Sequence, residues 1–201
     1  MSDRVVVVRT GTANLASVVA ALERAGRTVL VADEPATVVE AARLVLPGVG
    51  SFGAVAEALA RGGLAAPLAE RIRSGRPTLA ICLGLQLLAA ASEEDPGAEG
   101  LGVLDATVTA LPPTVRVPQL GWNQVRAEDG CRLLEDGAAY FANSYRLEAV
   151  PPGWEGAMAD HGGPFVAALE RGAVLGCQFH PELSGRWGQS LIERWLEVEP
   201  C

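Results

Sequence analysis

Cys82 stands in Ala80-Ile81-Cys82-Leu83-Gly84, directly after the apolar run Thr78 to Ile81. A strand that turns sharply into a helix with a nucleophile at the corner is a nucleophile elbow, here with cysteine in place of serine. The turn pushes the side chain out at the carboxyl end of a sheet, and the helix N-terminus favours a thiolate. The backbone N–H of Leu83 falls where an oxyanion needs a donor. Taken alone, the segment reads equally well as a buried core cysteine. A nucleophilic thiol needs a base, and the chain has two histidines. His180 lies in Gln178-Phe179-His180-Pro181-Glu182, just after an apolar run. In an extended segment residues two apart share a face, so Glu182 can hold the imidazole in one tautomer, as a triad acid does. His161, in Asp160-His161-Gly162-Gly163, reads as a solvated turn residue. A histidine with a carboxylate two positions on, in a chain with an elbow cysteine, favours the catalytic reading.

Two other constellations compete. Gly48-Val49-Gly50-Ser51-Phe52-Gly53 matches the dinucleotide fingerprint. It follows the third strand where the fingerprint belongs after the first, and no second strand ends in an acid at the required distance. Cys177 and His180 form a possible metal pair, but three residues apart on a strand they face opposite sides. No other Cys/His pair completes a site, so no metal is expected.

The elements that must position these residues alternate. Val5 to Val8 reads as a buried strand. Leu15, Val18, Val19, Leu22 and Ala25 follow at helical spacing, and Gly26 ends that helix. Thr28 to Ala32 is a second strand, Pro35 to Arg43 a helix with an early proline, and Leu44 to Leu46 a third strand. Helical patterns run from Ala54 to Ser74. Thr78 to Ile81 is a fourth strand, and Leu85 to Ala91 begins another helix. This alternation predicts an α/β fold, a parallel sheet with helices on both faces. The second half reads as strands over Val103–Leu111, Trp122–Arg126, Ala139–Leu147, Phe165–Arg171 and Ala173–Phe179, antiparallel additions joined by Gly- and Pro-rich turns. A helix over Trp187 to Val198 closes a chain expected to form one domain over residues 1–201.

Composition narrows the classes. The 201 residues are 49% hydrophobic and 20% charged, globular values, and a chain this long buries roughly 70% of its unfolded surface. The net charge of −8 comes without any basic stretch, which argues against a nucleic-acid partner. All 16 basic residues are arginine. Without lysine there is neither a Walker-A loop nor a lysine Schiff base. Leu79 to Ala91 is too short to span a bilayer, and Met1 to Arg9 carries no signal-peptide core. Four cysteines at unrelated spacings argue against a disulfide framework. The expectation is a soluble, cytoplasmic protein with no membrane association.

These residues resemble the class I glutamine amidotransferases, and more narrowly the glutaminase subunits of imidazole glycerol phosphate synthase. The resemblance covers nearly the whole chain. It rests on Gly11 to Leu15, Pro47 to Phe52, Ile81 to Leu88, Val117-Pro118 with Gly121-Trp122-Asn123, Tyr140-Phe141, Ser144-Tyr145, and Gln178 to Glu182. It implies a flavodoxin-like three-layer sandwich around a mixed, mainly parallel sheet. Cys82 would be the nucleophile, His180 the acid-base and Glu182 its orienter. Val49 and Leu83 would form the oxyanion hole, while Gly50, Gln86, Ser144 and Tyr145 would bind glutamine. Asn14, Trp122 and Tyr140 would lie at the interface with a (β/α)₈-barrel cyclase, in a heterodimer that receives the ammonia through a tunnel. No cofactor is implied. In this family the Pro47 to Gly50 loop rearranges to complete the hole, and both its glycines can reach the conformations a flip requires. The chain departs from the commonest pattern at Arg9-Thr10, Ala13, Ala80, Gln119, Asn143 and Leu183. The alternative within the class is the amidotransferase subunit of anthranilate or aminodeoxychorismate synthesis, and a catalytically silent docking paralogue is a further rival.

Overall fold

The first strand, β1 (Arg4–Val8), carries four consecutive valines that are almost entirely buried. A run apolar at every position suits a strand covered on both faces. Its side chains divide accordingly: Val6 and Val8 join one apolar core, Val5 and Val7 the other. β1 lies between β2 (Thr28–Ala32) and β3 (Arg43–Gly48), and β3 pairs with β4 (Thr78–Cys82), all in parallel. The computed structural model describes residues 4–10 and 15–199. Asn14 and Cys201 therefore lie outside the described residues.

The helices take opposite faces. α1 (Leu15–Arg24) and α6 (Gly185–Glu197) bury Val18, Leu22, Leu191 and Trp195 in the core that holds Val5 and Val7. α2 (Pro35–Glu40), α3 (Phe52–Arg61) and α4 (Ala65–Arg73) bury Val38, Leu59 and Leu68 in the other. The helical patterns expected from Ala54 to Ser74 form two helices, divided where Gly63 takes φ 68, a left-handed conformation that ends α3 and redirects the chain.

Beyond β4 the short α5 (Leu83–Gln86) gives way to β5 (Ala89–Ser92), which pairs with β6 (Leu104–Ala110). A helix begun at Leu85 and running to Ala91 was the expectation. Leu85 to Ala89 is buried and Ala90 and Ala91 are apolar, so the stretch has no polar face to register a period, and pairing with β6 decides its form. β7 (Gln119–Ala127) and β8 (Gly137–Asn143) form a hairpin ladder. Ser144 then breaks the strand expected over Ala139–Leu147, sending β9 (Tyr145–Arg146) to pair with β6 instead. β10 (Glu155–Asp160) was not legible: its Gly156, Ala157 and Ala159 have weak strand preference, and pairing with β7 and with β11 (Pro164–Arg171) holds it. β12 (Val174–Cys177) closes the sheet beside β4.

The large sheet thus runs β2-β1-β3-β4-β12-β11-β10-β7-β8. Its first five strands in space are parallel and the rest antiparallel, the mixed sheet expected. β3, β4 and β12 are neighbours, and their carboxyl ends carry Gly48, Cys82 and the segment to His180. α5 packs closely on β3. A Cβ added at Gly84 would collide with the carbonyl oxygen of Leu46, and one at Gly48 would lie 2.8 Å from the nitrogen of Gly84. Gly84→Ala should therefore lower stability by about 1–3 kcal/mol, the usual cost of forcing atoms into a packed interior. Urea unfolding reads this directly, and a variant as stable as the wild type would show that the approach is not required.

Candidate active site

Cys82 ends β4 and precedes α5 with φ 54 and ψ −110, alone among the described non-glycine residues in having positive φ. Such a conformation costs about 1–3 kcal/mol and persists only where the surroundings impose it. Here they are the β3 and β12 ladders on either side of β4 and the glycine contacts under α5. Leu83 opens α5, so its N–H has no partner within the helix.

His180 follows β12 with its backbone N–H bonded to the Tyr140 carbonyl at 2.9 Å. Its Nδ1 meets Glu182 Oε1 at 2.8 Å. The pairing was expected from an extended segment, but Pro181–Leu183 is a 3-10 turn. The turn swings Glu182 back onto the ring. Ser184 braces it, its hydroxyl donating to the His180 carbonyl at 2.6 Å and accepting from the Tyr140 N–H at 2.9 Å. Among the described residues Glu182 Oε2 is buried and accepts no hydrogen bond, so the carboxylate acts on the imidazole alone.

A cleft of about 320 Å³ opens over Cys82 and His180. Val49, Gly50, Leu83, Gln86, Ser144 and Tyr145, all singled out from sequence, line it. Gly50 has φ 106, whereas Gly48 is held in the β3–β4 ladder and packed on Leu83 and Gly84. Of the two loop glycines, only Gly50 uses its conformational freedom; Gly48 is there for close approach. Gln86 is buried, and its amide nitrogen already donates to the Tyr145 carbonyl and to Gln178 Oε1. What it can offer a ligand is its carbonyl oxygen.

Sequence reasoning missed Glu94 and Asn143, which also line the cleft. Glu94 Oε2 accepts from the Phe52 N–H at 2.8 Å and Asp95 Oδ2 from the Gly53 N–H at 2.7 Å. Burial, with Asp95 adding to it, raises the Glu94 carboxyl above its ordinary value despite the Phe52 bond. The two carboxylates occupy the N-terminus of α3, where a dinucleotide fingerprint would hold its phosphates. That reading of Gly48 to Gly53 fails on charge. Cys177 is wholly buried in the core, and among the described residues no cluster of three or more His, Cys, Asp or Glu side chains is placed to hold a metal ion. His161 lies elsewhere, its Nε2 against the Arg116 carbonyl at 2.8 Å.

The family model described as glutamine amidotransferase class-I matches residues 6–197. The chain is a class-I glutamine amidotransferase. Among its relatives, the imidazole glycerol phosphate synthase subunit HisH of Deinococcus radiodurans is 43% identical, over 95% of this chain and 92% of its own length. The protein of the same name from Symbiobacterium thermophilum is 42% identical over 96% and 92%, and that from Yersinia pestis 40% over 96% and 99%. A solved glutamine amidotransferase shares the fold at TM-score 0.78 and 22% identity, covering 96% of this chain and 97% of its own. PurLQS from Thermotoga maritima does so at 0.74 and 20%, covering 98% of each chain.

Trp122 and Tyr140 of this amidotransferase meet edge to face, ring centroids 6.3 Å apart. Trp122 is not a core aromatic: it is 61% exposed, and Leu120 and Leu183 are exposed large apolar residues too.

His180 holds its proton firmly, with its pKa raised to about 10. Burial is the largest single influence and pulls the value down. The hydrogen bonds to Cys82 and Glu182, with the charges of both, outweigh it. An unfolded histidine titrates near 6.5, so the stability this pairing confers is complete below about 6.5 and is lost as pH rises through about 10. Imidazole NMR should find the His180 midpoint near 10, and Glu182→Gln should move it down by about one unit or more. A midpoint near 6.5 in the wild type would contradict the coupling.

Proposed function

We propose that this chain is the glutaminase subunit of a cytoplasmic imidazole glycerol phosphate synthase, hydrolysing L-glutamine to L-glutamate and ammonia. The observation that carries the reading is the Cys82–His180–Glu182 array beneath a cleft sized for a small amino acid. The relatives' names support this pathway over the anthranilate and aminodeoxychorismate branches.

In the reaction, Cys82 Sγ attacks the side-chain carbonyl carbon of glutamine, and the proton from the sulfur resides on His180. The carbonyl oxygen becomes an oxyanion facing the N–H groups of Leu83 and, in the productive loop state, Val49. His180 gives its proton to the departing nitrogen, the C–N bond breaks, and ammonia leaves behind a γ-glutamyl thioester. His180 then takes a proton from water as the hydroxide attacks the thioester, and the sulfur departs with glutamate released. Glu182 keeps Nδ1 protonated so that Nε2 faces the reaction. Ser144 and Tyr145 receive the α-carboxylate, and Glu94, a carboxylate in the lining of the same cleft, receives the α-ammonium. The exposed Trp122, with Tyr140 and Leu183, supports docking on a cyclase that consumes the ammonia; without an acceptor, it would be lost to water.

Cys82→Ala and His180→Asn should abolish glutamate release with the fold intact, and Glu182→Gln should be damaging but less so, since an orienter contributes less than the proton carrier. His161→Asn should keep its activity. A dead His161→Asn beside an active His180→Asn would reverse the assignment of the base.

Regulation should lie at Val49 and Gly50. One oxyanion donor is worth roughly 10²- to 10³-fold in rate, and a partner that binds the productive loop state better shifts the population toward it. Adding the cognate cyclase and its ribonucleotide ligand should therefore strongly raise the rate of glutamate release. Gly50→Val should blunt that rise, because a β-branched residue resists φ 106. Equal rates with and without partner and ligand would refute the gating, though not the triad.

A further inference from the structure

Gln178 opens the segment that ends in the triad acid, yet the reaction above gives it no task. Its residue is wholly buried, and its side chain bonds to two residues that line the cleft. Gln178 Nε2 donates to Cys82 Sγ at 3.7 Å. Its Oε1 accepts from Gln86 Nε2 at 3.0 Å. Gln86 Nε2 in turn donates to the backbone carbonyl of Tyr145 at 3.1 Å, which also accepts from Asn143 Nδ2 at 3.1 Å.

The direction of this chain is fixed. A backbone carbonyl can only accept, so the Gln86 amide must present its NH₂ group to Tyr145. Its second N–H then meets Gln178, which must turn its oxygen to Gln86 and its NH₂ to the sulfur. Reversing Gln86 would set acceptor against acceptor, and reversing Gln178 alone would set donor against donor, in a buried place. A wholly buried side chain with a fixed polarity presents a donor to the atom that must carry negative charge.

We propose that Gln178 is a positioning residue for the nucleophile: through a Tyr145–Gln86–Gln178 amide relay it holds an N–H against Cys82 Sγ. The inference rests on Cys82 being the nucleophile. The donor stabilises the sulfur as an anion at two moments, before it attacks the amide and when it departs from the thioester. It also fixes the sulfur between His180 and the cleft. Tyr145 lines the wall that receives the substrate, so the relay ties that wall to the nucleophile without touching glutamine itself through Gln178.

The test is alkylation of Cys82 by iodoacetamide as a function of pH, located by peptide mass spectrometry, alongside steady-state glutamine hydrolysis in the assembled complex. Gln178→Met keeps the length and removes the donor. It should slow Cys82 alkylation at neutral pH about tenfold, the scale of a hydrogen bond to a charged group, with rates converging on the wild type in alkali. It should lower kcat about tenfold with KM changed less than about twofold. A packing role alone would lower the melting temperature and leave the alkylation profile in place. Profiles and kcat superimposable on the wild type would overturn the relay. Gln178→Glu, which keeps the shape and the bond accepted from Gln86, carries the same test if the methionine variant does not fold. A measurement on the wild-type protein needs no variant: the side-chain amide proton signals of Gln178 should move when Cys82 is alkylated, and unmoved signals would also overturn the proposal. Retained hydrolysis in Cys82→Ala would instead sink the triad reading, so the two failures are distinguishable.

Discussion

Cys82 is held at φ 54 and ψ −110 by the close approach of α5 to β3. The approach depends on two residues without side chains, Gly84 under the Leu46 carbonyl and Gly48 against the backbone of Gly84. Neither glycine needs a left-handed conformation. They permit contact, and the contact leaves the cysteine no ordinary backbone geometry. The strain of about 1–3 kcal/mol is offset by β4, buried along its length and paired on both edges. The same pairing brings Gly48 and the approach to His180 to either side of Cys82, so one constraint sets both the cysteine and its neighbours.

The two ends of the parallel strands do different work. At the amino end the buried Arg71 donates to the carbonyls of Ala41 and Pro77 and to Thr78 Oγ1, tying α4 to β3 and β4. Burial, helped by Arg76, lowers its pKa to about 10, so it remains charged at neutral pH. It is satisfied by carbonyl dipoles and not by a carboxylate. At the carboxyl end polar and charged groups gather: Glu182 on His180, Glu94 lining the cleft, and Gln178 with its N–H on the sulfur. Buried polar groups are costly unless paired. The carboxyl end accepts that cost in a few groups directed at Cys82 and His180, while the amino end satisfies its buried charge with hydrogen bonds.

The sequence made the parallel half legible because each strand there is a short apolar run bounded by a helix with a cap or a glycine stop, as in Thr28 to Ala32 after Gly26. It left β10 hidden, since Gly156 and Ala157 say nothing by themselves and long-range pairing builds the strand. The helix expected to begin at Leu85 failed for a related reason: residues buried on all sides lose the polar face that reports a period. At the site, Cys82, His180 and Glu182 were readable because each sits in a short motif with its chemistry attached. Glu94 lies outside both motifs, on a segment after β5 with no chemical signature of its own, and only the fold shows that it lines the cleft. Gln178 was visible as a letter of its motif, but its contact with Cys82 spans 96 positions and could not be read from spacing.

The chemistry proposed for the site requires the glutamyl group to pass through Cys82. Rapid-quench peptide mass spectrometry of the assembled enzyme turning over glutamine tests it most directly. A γ-glutamyl adduct should appear on the peptide containing Cys82, forming and decaying at rates able to support turnover. Glutamate release at full rate with no adduct there, or with the adduct on another side chain, would contradict it.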